Sequence, residues 1–137
     1  MMLPRVENWE RLLASAIDTA RAKPFVWGVH DCPTFAFETR MILTDGEDIA
    51  ALWRGRYTTA LGGARVMRRL GWASLEDMGC ALLGEPRPGV LLAQRGDIVL
   101  ADTGLGFGIC NGASAVGMAP AGLVTVPLTA CRRAWRV

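Results

Sequence analysis

The sequence predicts an α+β domain in which N-terminal helices pack on a C-terminal antiparallel β-meander. Apolar residues recur at helical spacing over the first part of the chain and in short β-like runs after it. Asn111-Gly112, between two such runs, is a strong hairpin signal. No helical pattern returns between the β-like runs, so the order is helices then strands, not alternating βαβ. At 137 residues the chain reads as one domain, 1–137. Its helical part covers about 8–84, its meander about 95–128, and an exposed tail 129–137.

Residues 8–22 read as an amphipathic helix. Asn8 is placed at its N-cap, and Trp9, Leu12, Leu13, Ala16, Ile17 and Ala20 recur at helical spacing. Pro24 stops it. A loop Trp27-Gly28-Val29-His30-Asp31-Cys32 follows, and Pro33 suits the first turn of a helix, where its missing N–H is not needed. Cys32 is therefore expected as the N-cap of a helix reaching about Leu43, ended by Thr44-Asp45-Gly46. Thr58 or Thr59 caps a third helix through Leu70, with Gly71 as its stop. Ser74 opens a fourth, with Glu76 and Asp77 at the positive end of its dipole. The loop 84–89 holds Pro86 and Pro88. Strands are expected over Asp97–Ala101, Phe107–Cys110, Ala113–Met118 and Leu123–Val126, with turns at Thr103–Gly106 and Pro120-Ala121-Gly122.

Composition narrows the function. The chain is 51% hydrophobic and 20% charged, with five Trp, so it buries a real core. A net charge of +2 gives no strong electrostatic case for a nucleic-acid partner, and none is expected. Basic residues do cluster, at Arg54, Arg56, Arg65, Arg68 and Arg69 and again at Arg132, Arg133 and Arg136. They read as a solvated helix face and an exposed tail, or as a docking surface for an acidic protein. No run reaches the roughly 18 apolar residues of a membrane span, so no membrane insertion is expected. Met1-Met2-Leu3-Pro4-Arg5 lacks an apolar leader core, which predicts synthesis in the cytoplasm. Cys32, Cys80, Cys110 and Cys131 show no C-x-x-C pair, and His30 is the lone histidine. They read as reduced thiols rather than metal ligands, and no cofactor is expected. Gly104-x-Gly106-x-Gly108 precedes no helix and is not a dinucleotide loop. Trp27, Trp53, Trp72 and Trp135 read as core or interface anchors.

Cys32 is the chemical candidate. Partial positive charge at a helix N-terminus lowers a thiol pKa, which places Cys32 well for a thiolate; the alternative from local sequence is a cysteine packed at a helix start for its size. His30, two residues before it, is the candidate base and Asp31 its candidate orienter. The alternatives are a histidine bonded to backbone and an Asp31 that caps the turn.

The wider pattern, aromatic-x-Trp-Gly and then Asp-Cys and an apolar helix, resembles the nucleophile region of NlpC/P60 cell-wall peptidases. Arg95-Gly96-Asp97-Ile98-Val99-Leu100 resembles the strand that opens that family's sheet. Gly106-Phe107-Gly108-Ile109-Cys110 resembles its His-Val-Gly-Ile-Tyr strand. The Asn111-Gly112 turn and the run Val124 to Leu128 also fit. The likeness covers roughly 24–43 and 95–128, while 44–94 carries no family motif. It implies a papain-like fold with Cys32 as nucleophile. The chain also resembles short phage and prophage tail-region proteins, through Trp27-Gly28-Val29-His30-Asp31-Cys32-Pro33-Thr34-Phe35-Ala36, Arg54-Gly55-Arg56-Tyr57 and Arg133-Ala134-Trp135. This implies a virion tail location, with tail hub or tip proteins as partners.

The likeness breaks at Gly106, which stands where the NlpC/P60 pattern has its general-base histidine. The third polar group would fall near Ala113 to Ala119, where only Ser114 is polar. Trp27 and Gly106 are therefore binding candidates, with space at Gly106 for a partner's side chain. The expected function is a catalytically degenerate tail component. The alternatives are an active peptidoglycan endopeptidase or amidase using Cys32, and a metal- or iron–sulfur-binding tail module.

Overall fold

The computed structural model describes residues 3–102 and 106–137. Of the turn expected at Thr103–Gly106 only Gly106 is described, and of the glycine pattern Gly104 lies outside the described residues. Four helices, α1 (Trp9–Arg21), α2 (Cys32–Thr44), α3 (Ala60–Arg69) and α4 (Leu75–Leu83), precede five strands. The strands are β1 (Ile98–Ala101), β2 (Phe107–Cys110), β3 (Ser114–Ala119), β4 (Gly122–Pro127) and β5 (Cys131–Trp135). They form one antiparallel sheet in the order β4-β3-β2-β1-β5.

The helix starts follow side-chain capping at three of four sites. Thr59 Oγ1 accepts from the Gly62 N–H and Ser74 Oγ from the Asp77 N–H, each at 3.0 Å. At α2 the cap is Asp31, whose carboxylate accepts from the Thr34 N–H at 3.2 Å. Cys32 is thus the first helical residue and not the N-cap, because the carboxylate one position earlier takes the free N–H. Asn8 does precede α1, but in a left-handed conformation with no side-chain capping bond.

α2 lies centrally. It is buried on most sides and packs against α1 and the β2–β3 part of the sheet. Strand alternation sends Ile98, Leu100, Phe107, Ile109, Val116, Met118 and Trp135 toward the helices. Val99, Cys110, Ala115, Cys131 and Ala134 face the other way into a smaller cluster. Ile98 stands opposite both Ile109 and Trp135, and Ile109 opposite Val116, so one apolar row crosses four strands.

The tail expected at 129–137 is instead strand β5. Its Trp135 is fully buried, and a Cβ on Gly79 of α4 would come within 2.5 Å of the indole. A short strand after a 3-10 turn (Leu128–Ala130), with Cys131, Ala134 and Trp135 buried on two different faces, carries too little alternation to be read from sequence. Arg132 and Arg133 reach Glu76 at 3.5 and 3.3 Å, and Arg54 bridges Glu38 and Asp48 at 2.7 Å each. These three arginines are paired, and Arg132 and Arg133 stay exposed, as the clustered Arg56, Arg65, Arg68 and Arg69 do.

Two devices tie the layers together. Trp72, Trp53, Phe37, Phe107 and Trp135 form an edge-to-face aromatic row, with successive ring centroids 6.2, 5.6, 5.7 and 6.1 Å apart. At the opposite end of the sequence logic, the fully buried Asp97 accepts from Arg87 Nε (2.7 Å), an Arg5 guanidinium nitrogen (3.3 Å), the Gln94 N–H (2.9 Å) and the Val137 N–H (3.1 Å). The Arg95-Gly96-Asp97 tripeptide is therefore a structural clasp.

Candidate functional site

The loop before α2 folds on itself and on the segment after α2. Val26 and His30 form an antiparallel bridge, and Gly28 takes a positive φ of 76°. A Cβ at Gly28 would lie 2.6 Å from the Tyr57 carbonyl oxygen, so only glycine permits this approach. The Gly55 N–H donates to the Gly28 carbonyl at 2.9 Å. Asp31 completes the junction. One carboxylate oxygen accepts from the Gly28 N–H (2.9 Å) and from the Tyr57 hydroxyl (2.5 Å), the other from the Thr34 N–H. Burial and the bond to Asp31 push the Tyr57 hydroxyl far above its usual range. Asp31 is 1% exposed and fully engaged, so it pins the loop and does not orient a base.

Cys32 begins α2 beside the start of β2. Gly106, with φ of 74°, faces it so closely that a Cβ there would overlap the sulfur. The two segments that sequence likeness singled out therefore meet in space, with glycine against sulfur. Burial first, and then the Asp31 charge, push the Cys32 thiol up to about 12, although backbone contacts at Phe107 and at Cys32 itself favour the thiolate. Against the thiolate expected from the helix terminus, desolvation of the charged form favours the thiol at the half-buried Cys32.

His30 does not serve Cys32. Its Nε2 donates to the Ala20 carbonyl at 3.1 Å and its ring stands edge-on to Phe35. It lines a cavity of about 260 Å³ between α1 and α2 that Cys32 does not reach. The backbone-bonded alternative is the one realised, because the loop's bridge carries His30 back toward α1.

Cys32 opens instead on a cleft of about 330 Å³. Trp27 and Gly106 line it, but the space expected at Gly106 for a partner's side chain is not there, because the Cys32 sulfur already fills it. Tyr57, Met67, Arg68, Trp72 and Ser74 also line it, from a stretch that gave no functional signal beyond Arg54-Gly55-Arg56-Tyr57. The apolar positions of α3 that face this cleft are indistinguishable in sequence from core positions. Among the described residues, no three His, Cys, Asp or Glu side chains converge to hold a metal. Cys80 is exposed on α4, and Cys110 and Cys131 lie in the sheet's second cluster. Among these helices none is long and apolar enough to cross a membrane.

The thiol chemistry yields a direct expectation. With its pKa pushed upward, Cys32 is predominantly the thiol at pH 7. In a Cys80→Ser background, iodoacetamide should label the native protein far more slowly than the unfolded chain, with a rate rising about tenfold per pH unit through the alkaline range. The protonated thiol is the form the fold favours. Its contribution to stability is complete below the ordinary value of 9.0 and is lost as pH climbs toward about 12. Fast labelling at neutral pH would contradict the burial argument.

Residues 4–137 match the family model described as Domain of unknown function (DUF6950). No curated protein and no solved structure matches the chain.

Proposed function

We propose that this chain, which belongs to the DUF6950 family, is a structural component of a phage or phage-derived tail, built on a papain-like NlpC/P60-type domain that has lost its hydrolytic chemistry. The observation that carries this reading is Gly106 pressed against the Cys32 sulfur. In the NlpC/P60 likeness the proton-transfer group belongs at that position, and a glycine with positive φ supplies neither an acceptor nor room for one.

The chemical deficit compounds. Amide hydrolysis by a thiol needs a thiolate, then an acid to protonate the departing amine. Cys32 is held as the thiol. The ionisable side chains beside it in the cleft are Asp31, Tyr57 and Arg68. Asp31 has its oxygens occupied by three donors, burial and the bond to Asp31 keep the Tyr57 hydroxyl protonated, and the Arg68 guanidinium has no acceptor atom. General acid–base help of roughly 10²–10⁴-fold is therefore absent, on top of the thiolate deficit.

The residues that carry the likeness to tail-region proteins are explained by packing. Gly28 meets Gly55, Asp31 bonds Tyr57, Trp53 Nε1 donates to Thr34 Oγ1 at 3.1 Å, and Ala134 and Trp135 are buried. Such residues preserve a shape, as a protein used for assembly requires. The alignment of α2 against an antiparallel sheet supports the papain-like reading in the same way.

The test is release of soluble muropeptides from purified sacculi by the full chain, alone and with tail hub and tip proteins added. No release above background is expected, and Cys32→Ser should behave like the parent. Robust release abolished by Cys32→Ser would defeat the proposal.

A further inference from the structure

We propose that the cleft beside Cys32 is a docking groove for an acidic segment of a partner protein, which places an apolar side chain in the cavity and a carboxylate against Arg68. The inference deepens the structural reading above and rests on it, since a cleft without hydrolytic chemistry is free to hold a partner.

The first observation is shape and polarity. The cavity of about 330 Å³ is walled by Trp27, Tyr57, Met67 and Trp72, a size and surface suited to one large apolar side chain. The second is charge. Arg68 lines the same cavity and is exposed, and its side chain makes no ion pair or hydrogen bond among the described residues. Arg56, Arg65 and Arg69 share that state, and α3 carries no acidic residue. By contrast Arg5, Arg54, Arg87, Arg132 and Arg133 each meet a carboxylate. Of these only Arg68 lines the apolar cavity; Arg65 and Arg69 sit on the same helix, and Arg56 lines a separate cavity beside Glu47 and Asp48. The third is the cleft's own carboxylate, Asp31, which is consumed by Gly28, Thr34 and Tyr57. The groove therefore lacks an internal anion for Arg68 and complements an external one. A net charge of only +2 and a pocket shaped for one side chain favour an acidic protein over nucleic acid.

The test uses the full chain and three peptides of equal length: Ac-Glu-Asp-Phe-Glu-Asp-NH2, the same with lysines for the acids, and the same with glycine for phenylalanine. Tryptophan emission reads binding, because Trp27 and Trp72 wall the cavity. The acidic phenylalanine peptide should bind saturably and at least tenfold more tightly than either control, and more weakly as salt is raised. Arg68→Glu should weaken it at least tenfold. Ala64→Trp, which fills the cavity from the exposed side of α3, should abolish it without lowering the melting temperature. Equal binding of acidic and basic peptides, unchanged binding by Ala64→Trp, or tighter binding of an oligothymidine would overturn the proposal. Release of muropeptides from sacculi would instead sink the silent-domain reading and leave the peptide preference to be judged on its own titration.

Discussion

Asp97→Ala should cost about 3–5 kcal/mol of folding stability, the scale expected when one partner of a buried ion pair is removed. Asp97 is fully buried, and the side chains of Arg5 and Arg87 are only 16% and 12% exposed. Truncation leaves two guanidinium groups that repel one another and whose shared counter-charge is gone. It also strands the Gln94 and Val137 N–H groups. Against a total of about 5–15 kcal/mol for a domain, this is a large share. Urea unfolding followed by far-ultraviolet dichroism measures it, at unchanged m-value. Arg5→Ala should cost less, because Asp97 keeps Arg87 and both N–H groups. An Asp97→Ala loss below about 1 kcal/mol would mean that the clasp contributes little.

Gly106→Ala is the second change expected to be severe. The backbone there has φ of 74°, which costs an L-residue about 1–2 kcal/mol. The new Cβ also overlaps the Cys32 sulfur, adding about 1–3 kcal/mol of overpacking. The two parts separate in a double-mutant cycle. In a Cys32→Ala background the sulfur is gone and the nearest remaining atoms, Cys32 Cβ and a Leu75 methyl, stand at an ordinary 3.4 Å. Gly106→Ala should then cost only the conformational part. Equal penalties in both backgrounds would show that sulfur and glycine are not in contact.

What could be read in advance follows from how local each signal is. Thr59 and Ser74 announce their helices because a hydroxyl bonds an N–H three residues on, a relation wholly within the sequence window. Asn111-Gly112 announces the β2–β3 hairpin for the same reason, with the Asn111 N–H donating to the Ser114 carbonyl and Gly112 at a φ of 95°. Cys32 facing Gly106 was legible only through likeness to a family, since no local rule joins residues 74 positions apart. The thiol's state was not legible, because desolvation depends on Gly106 and the β2 backbone arriving from afar. Nor was the role of Asp97, whose partners Arg5, Arg87 and Val137 are brought together by folding. Strand β5 escaped because its partner β1 lies 30 residues earlier and its exposed arginines mask the buried Ala134 and Trp135.

The aromatic row carries an optical consequence. Trp53 and Trp72 hold their rings at 83° with centroids 6.2 Å apart, near enough for their excited states to mix in a fixed chiral arrangement. The native chain should therefore show an exciton couplet in its dichroism that Trp53→Phe erases while the helical bands persist. Because Trp72 also walls the cleft, that couplet is a label-free gauge in which a buried chromophore pair registers events at the surface.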